Sequence, residues 1–157
     1  MKGKVQLIVS VGIRTGADVS KAIALGADTV SIGQGILVAL GCNSETYIQN
    51  DSHYSAIEDY AALGTAPGTC YHCHTGKCPV GVTTQDPILE KRLEVEVGAK
   101  RVKNYLQTLN MELIIIACAC GKQNVHPLER EDLVALTIEA AAMAKLPLAG
   151  TSWIPGV

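Results

Sequence analysis

The stretch that decides the fold is Val5-Gln6-Leu7-Ile8-Val9-Ser10-Val11-Gly12, followed by Arg14-Thr15-Gly16-Ala17-Asp18 and then by Thr29-Val30-Ser31-Ile32-Gly33-Gln34-Gly35. The first segment is a nearly continuous apolar run ending in glycine, the pattern of a strand buried on both faces of a parallel sheet. Thr15, with Asp18 three residues later, reads as a capping box with the shorter acid. Val19, Ala22 and Ile23 then make one apolar helix face, and Gly26 stands where a left-handed residue would stop that helix. A second buried strand follows at once. Strand, helix and strand joined by short loops form a βαβ unit, whose crossover is expected to be right-handed.

In parallel sheets and barrels, ligands sit at the carboxyl ends of the strands. Both expected strand ends here carry glycines, which let the backbone approach a ligand and present its N–H groups. The second turn also runs into a short apolar helix over residues 36–40, a natural seat for a phosphate. Ser10, Val11, Gly12, Arg14, Gly33, Gln34 and Gly35 are therefore the candidate cofactor-binding residues, with Arg14 adding a charge-assisted contact. The competing reading is that the glycines only make tight turns. Two adjacent strands feeding one phosphate is the arrangement of strands 7 and 8 of a (β/α)8, or TIM, barrel. By themselves the turns do not separate flavin mononucleotide from a sugar phosphate.

The chain has 157 residues, 48% apolar and 18% charged, with a net charge of -2. That composition suits about one globular domain and argues against disorder. It argues equally against nucleic acid as the main partner. No apolar run approaches the roughly 18 residues of a membrane span, so no membrane association is expected. Met1-Lys2-Gly3-Lys4 leads into a short apolar run broken by Gly12, so no signal peptide is read and a cytoplasmic location is expected. There are six cysteines and no phenylalanine. Without a sign of secretion, the cysteines read as reduced, metal-bound or buried.

Residues 42–69 are polar and rich in turn formers. From Glu90 a helical pattern returns, with Val102, Tyr105, Leu106, Leu109, Leu113, Ile116 and Cys120 on one face and Gly121 as its end. His126-Pro127 is expected to open another helix, with Leu133, Leu136, Ala140, Ala141 and Ala144 on one side and Pro147 as its stop. Residues 150–157 read as an irregular terminus. The organisation expected is two βα units over residues 1–41, an insert and cysteine loop over 42–89, and a helical extension over 90–157.

The loop Cys70-Tyr71-His72-Cys73-His74-Thr75-Gly76-Lys77-Cys78-Pro79 carries C-x2-C-x4-C and then proline. Buried structural cysteines usually sit in apolar runs, and this loop is polar. Cysteine followed by proline recurs in ferredoxin-type cluster loops. Gly68, Gly76 and Gly81 would let the loop wrap inorganic sulfides. Cys70, Cys73 and Cys78 are thus the candidate metal ligands. They would hold a [3Fe–4S] cluster, or a [4Fe–4S] cluster with one more ligand from elsewhere, Cys42 being the nearest spare thiol. The rivals are zinc, with His72 or His74 as fourth ligand but without the paired spacing of zinc modules, and a loop that binds no metal. Cys118 and Cys120 lie in an apolar helical stretch and read as core. His53, His126 and Trp153 read as structural, and Glu94, Glu96, Glu129, Glu131 and Asp132 as solvated faces and first-turn acids. No catalytic residue is assigned.

Val11-Gly12-Ile13-Arg14-Thr15-Gly16-Ala17-Asp18-Val19, with Ala24-Leu25-Gly26-Ala27-Asp28, resembles the end of a flavin-binding barrel of the kind shared by α-hydroxy-acid oxidases and inosine monophosphate dehydrogenases. Leu37-Val38-Ala39-Leu40-Gly41-Cys42, with Cys73-His74-Thr75-Gly76-Lys77-Cys78-Pro79-Val80-Gly81-Val82-Thr83-Thr84-Gln85-Asp86-Pro87, is similar to the FMN-binding domain of glutamate synthase, and the likeness covers nearly the whole chain. The resemblance implies the C-terminal portion of an FMN-binding TIM barrel, followed by an iron–sulfur loop and C-terminal helices. It implies FMN with its phosphate on the two glycine turns, a [3Fe–4S] cluster, and reductive transfer of glutamine-derived ammonia to 2-oxoglutarate. The family's first cluster ligand lies six residues before the second; Pro67 stands there, and Cys70 is only three before. The insert at 43–69 and the ending Ala149-Gly150-Thr151-Ser152-Trp153-Ile154-Pro155-Gly156 resemble the methylamine–glutamate N-methyltransferase branch, which makes N-methylglutamate. A further alternative is an electron-transfer or accessory subunit that carries a cluster but no substrate site. A barrel needs about 250 residues, and two strands are legible, so the chain reads as roughly the last third of one. The partners implied are the remainder of the barrel, a glutamine amidotransferase domain and an electron-donating reductase or ferredoxin.

Overall fold

The computed structural model describes residues 5–10 and 12–156. Val11 of the first glycine turn, and residues 1–4, on which the absence of a signal peptide was partly argued, lie outside the described residues. The chain is mixed α/β. In order, it contains β1 (Ile8–Val9), α1 (Gly16–Ala24), β2 (Thr29–Val30), α2 (Gln34–Leu40), β3 (Thr46–Gln49), β4 (Ser52–Ser55), α3 (Ile57–Ala62), α4 (Val95–Ala119) and α5 (Ile138–Ala144). It divides into two compact units, one formed by Met1–Ile32 with Thr108–Val157 and the other by Gly33–Gln107. Among the described residues no helix is long and apolar enough to cross a membrane.

The first unit contains the expected βαβ. β1 and β2 pair in parallel, with Ile8 opposite Thr29 and Val9 opposite Val30. Ser31 N–H donates to Val9 O at 2.9 Å, and Leu7 N–H to the Asp28 carboxylate at 2.7 Å. The strands are shorter than the apolar runs suggested, and the expected burial on both faces is not found. Leu7 and Ile8 are exposed, because a lone pair of strands has open edges and no second layer over this side.

α1 starts as its sequence dictates. The Thr15 side chain caps the Asp18 N–H, and the Asp18 carboxylate accepts from Thr15 N–H at 3.0 Å, closing the capping box. Arg14 N–H and the Thr15 hydroxyl also donate to Asp18 and hold its carboxyl below the usual range. Gly26 adopts φ 110° just past the helix. Gly16 is required by packing rather than by its own dihedral. A Cβ there would lie 2.5 Å from Glu112 Cβ and 2.8 Å from Leu109 O. The glycine lets α1 lie directly on α4, and its N–H donates to Glu112 Oε2 at 2.6 Å.

α4 begins at Val95, later than the expected return of the helical pattern at Glu90, where residues 90–92 make a 3₁₀ turn instead, and ends before Gly121, which has φ 70°. Its covered stripe includes Leu109, Leu113, Ile116, Ala117 and Cys120. Two residues depart from expectation: Leu106 and Cys118 are exposed. Cys118 lies one residue past Ala117 and two before Cys120, which turns it away from that stripe at 3.6 residues per turn.

The helix expected from His126 does not form. Residues 130–132 make one 3₁₀ turn, and residues 133–136 run extended, with Ala135 bridging Leu148. Thr137 is the true cap. Its hydroxyl accepts from Ala140 N–H at 3.1 Å and launches α5. Of the face expected there, Ala141 is fully buried, packed with Ala135 and Leu146 against Leu133 and Ala144. Leu136 instead faces solvent.

The second unit holds the largest surprise. Residues 42–69, expected to be irregular, form an antiparallel hairpin and a helix. β3 and β4 are joined by Asn50 and Asp51, both with φ in the left-handed region. That is the pattern of a two-residue type I′ hairpin turn, where Asn and Asp tolerate positive φ. Tyr47 pairs with Tyr54 across the hairpin, their rings stacked at 5.5 Å. Arg92 then gathers three pieces of the unit. Its Nη1 donates to Asp59 of α3 at 2.7 Å and to Pro79 O at 2.8 Å, and its guanidinium lies 4.6 Å over the Tyr47 ring.

Two outcomes follow. Gly16→Ala should destabilise the fold by about 1–3 kcal/mol, since backbone and Glu112 Cβ must both give way. A shifted denaturant midpoint checks this, and an unchanged midpoint would refute the contact. Arg92→Lys keeps the charge but loses the fork. A cost of about 1–3 kcal/mol is expected in the same measurement, with loosened protection of the Cys78–Val80 amides in hydrogen exchange.

Candidate metal centre

The cysteine loop is closed by an asparagine. Asn43 sits directly after Cys42 and has φ 62°. Its Oδ1 accepts from Cys70 N–H at 2.8 Å, and its Nδ2 donates to Cys70 O at 3.3 Å. The same Nδ2 lies 3.7 Å from Cys42 Sγ. Gly68 N–H donates to Asn43 O at 3.2 Å. The hairpin and α3 therefore leave and return at one place, and Cys42 stands beside Cys70.

From Cys70 the chain enters a 3₁₀ turn at His72–Thr75, which ends at Gly76 with φ 71°. Cys73 is exposed on that turn. The Thr84 hydroxyl donates to Gly76 O and pins the turn to the following loop. Cys78, Pro79 and Val80 then run inward. Cys78 and Val80 form a small core with Ala56 and Tyr60, and Cys70, Tyr47 and Val82 pack against it. Gly81 must be glycine on two counts: φ is 77°, and a Cβ would meet Leu89 O at 2.5 Å. The Thr84-Gln85-Asp86-Pro87 segment is the loop's end-stop. Asp86 accepts from Ile88 N–H at 2.7 Å and Leu89 N–H at 3.1 Å. These backbone hydrogen bonds hold its carboxyl below the usual range.

Burial pushes the Cys42 thiol up, and the neighbouring sulfurs of Cys73, Cys78 and Cys70 push it further. Burial would also raise Cys78. Hydrogen bonds from the N–H groups of Thr83, Val80 and Val82 outweigh it, and its thiol stays below its ordinary value. The Tyr60 hydroxyl is pushed well up by burial, then by Cys70, Cys78 and Cys42.

Among the described residues, the buried side-chain polar atoms without a hydrogen-bond partner are Tyr60 Oη, His72 Nε2 and Thr83 Oγ1. Tyr60 borders the thiols, His72 adjoins Cys73, and the Thr83 hydroxyl lies by Cys78. Orphaned buried donors are rare in folded proteins and ask for an acceptor. Among the described residues no group of three or more His, Cys, Asp or Glu side chains comes together as a metal site.

The candidate phosphate residues are placed as follows. Ser10 is exposed directly after β1, and Gly12 has φ 71° with open space around it. Arg14 N–H is committed to the α1 cap. Gly33 is the N-cap of α2, with no side-chain cap, and Gln34 and Gly35 begin that helix. Gly33 also has open space where a Cβ would stand. Cys70 and Cys78 share one small core, Cys73 is exposed on the 3₁₀ turn, and Asn43 joins Cys70 to Cys42, the spare thiol that the sequence offers. Asn43, Tyr60 and Thr83 are neighbours that the sequence reading did not name, because the hairpin and α3 intervene between Asn43 and the loop. Cys118 and Cys120 belong to the other unit.

The chain is similar to known glutamate synthases. The profile of the conserved region in glutamate synthase matches residues 1–53 and 50–123. A glutamate synthase large subunit-like protein of Rhizobium meliloti (strain 1021) is 55% identical over 99% of this chain and 33% of its own length. An archaeal-type glutamate synthase [NADPH] of Dehalococcoides mccartyi is 40% identical over 72% of this chain and 18% of its own. An archaeal glutamate synthase [NADPH] of Methanocaldococcus jannaschii is 38% identical over 82% and 20%. The chain thus spans a third or less of the length of these relatives. No solved structure matches it. With its two matches together covering the βαβ, the cysteine loop and α4, the chain belongs to the glutamate synthase family.

Proposed function

We propose that this chain is the cofactor-holding C-terminal part of a glutamate synthase barrel domain. In this reading β1 and β2 are the last two strands of a TIM barrel. Ser10, Val11, Gly12, Arg14, Gly33, Gln34 and Gly35 hold the phosphate of FMN. Cys70, Cys73 and Cys78 hold an iron–sulfur cluster. When bound, these groups supply the electron relay and hydride transfer that reduce the imine of 2-oxoglutarate and glutamine-derived ammonia to glutamate. The chain's own residues position and insulate. Cys78 offers a thiol whose ionisation is eased by backbone N–H groups. Tyr60 and Pro79 close the inner side of the site against water.

The packing of Cys70 and Cys78 about one small core, with Cys42 joined to Cys70 through Asn43, carries this reading. Support for a cluster over zinc comes from the C-x2-C-x4-C spacing followed by proline, without the paired spacing of zinc modules. Support for flavin comes from parallel strands, each followed by a glycine turn. The exposed apolar side of β1 is where further barrel strands would pair and pack. The remainder of the barrel, a glutamine amidotransferase domain and an electron donor are the partners this requires.

After anaerobic expression, iron and acid-labile sulfide should copurify with the protein, and Cys78→Ser should remove most of both. Zinc in place of iron, or iron content unchanged in the variant, would overturn the assignment. The described turns supply one side of a flavin site, so these 157 residues by themselves should bind FMN weakly in fluorescence titration. Tight binding would sink the divided-site reading.

A further inference from the structure

α4 is apolar on two opposite sides. Leu109, Leu113, Ile116, Ala117 and Cys120 form its covered stripe, on which α1 lies through Gly16. Met111, Ile114, Ile115 and Cys118 follow one another at three- and four-residue steps, and 3.6 residues per turn puts them about half a turn from that stripe. The first three are each more than half exposed, and Cys118 is exposed too. Between Lys103 and Lys122 the only charged side chain is Glu112, and its carboxylate accepts the Gly16 N–H. The outward face therefore carries no charge. A helix that stands at a surface shows charge on the side away from its core, and one that is apolar all round is a buried helix. The unbroken apolar run at residues 113–120 is less than half of the roughly 20 residues that a membrane span needs, so the cover it calls for is protein.

Size and length decide what covers it. A stable interface between free proteins takes about 20–30 residues a side. This face offers four side chains, too few for two copies of the chain to hold together by it alone. A segment of the same polypeptide needs no such area, because its tether keeps it at high effective concentration. The chain spans a third or less of the length of its relatives, so most of their polypeptide has no counterpart among these residues. We propose that the outward face of α4 is covered by a segment of the glutamate synthase polypeptide outside these 157 residues, one that lays an uncharged apolar surface on Met111, Ile114, Ile115 and Cys118. This rests on the divided-barrel reading above and adds to the open edge of β1 a second contact, on a helix. α4 is then held between α1 and that segment. The helix on which α1 is seated, directly after the turn at Gly12, is thereby fixed from both sides.

Cys118 lies on the face and reports on it directly. Its alkylation by iodoacetamide is followed by mass spectrometry in two proteins: the 157-residue chain, and a full-length chimera in which this chain replaces the matched third of the Rhizobium meliloti relative. Cys118 should react freely in the chain and about tenfold or more slowly in the chimera, because a packed interface excludes solvent and reagent alike. Ile115→Lys should leave the denaturant midpoint of the chain unchanged, lower that of the chimera, and restore the reactivity of Cys118 there. Equal reactivity of Cys118 in the two proteins, with the amides of β1 protected from hydrogen exchange only in the chimera, would overturn the helix contact and leave the divided-barrel reading standing. Equal reactivity with β1 unprotected in both would overturn the two together. Protection of Cys118 in the chain alone, rising with concentration as a dimer forms in sedimentation, would give the face to a second copy and overturn the proposal.

Discussion

The second unit depends on one guanidinium. Arg92 receives a carboxylate from α3, a carbonyl from the cysteine loop and the face of a tyrosine from the hairpin. Asp59 is partly open to water, so the ion pair by itself contributes modestly. The value of Arg92 is convergence, because ordering one side chain satisfies three segments that are distant in sequence. Fixing Pro79 O fixes the turn that carries Cys78 inward, and the N–H groups of residues 80–83 follow from that turn. The hydrogen-bonded surroundings of Cys78 therefore depend on a residue outside them.

The parts of the fold that were legible in the sequence are those in which local chemistry and tertiary packing agree. The Thr15–Asp18 box, the left-handed Gly26 and the α4 stripe all obey rules that operate within a few residues. The parallel pairing of β1 and β2 follows from their spacing around α1. In the cysteine loop the polar sequence suggested no packing, yet Cys78 enters a small core with Cys70 against it, and Cys73 alone of the three is exposed. Gly16 shows the limit of this reading. Its role is contact with Glu112 and Leu109, nearly a hundred residues away, which nothing in its neighbourhood announces.

The misreadings share a cause. The insert looked irregular because Thr46-Tyr47-Ile48-Gln49 and Ser52-His53-Tyr54-Ser55 lack strong apolar alternation; only Asn50-Asp51 marked the turn. The stretch after His126 looked helical because its apolar spacing fits that period. Thr137, with its hydroxyl on Ala140 N–H, sets the true start later. Cys118 looked like core because its neighbours are apolar, yet the helix turns it outward. In each case composition suggested an environment, and a single hydrogen-bonding or angular detail decided otherwise.

The insert also separates distance along the chain from distance in space. A hairpin and a helix are spliced between Cys42 and Cys70, and Asn43 closes the splice by bonding both backbone polar groups of Cys70. An insertion is tolerated when its ends are stitched in this way, because lengthening a loop costs only about 0.6 kcal/mol per doubling once its closure is fixed. The stitch also carries Cys42 to Cys70, since the amide that bonds Cys70 lies 3.7 Å from the Cys42 sulfur. The C-x2-C-x4-C spacing alone could not disclose that neighbour, because it counts residues and the closure of the insert does not.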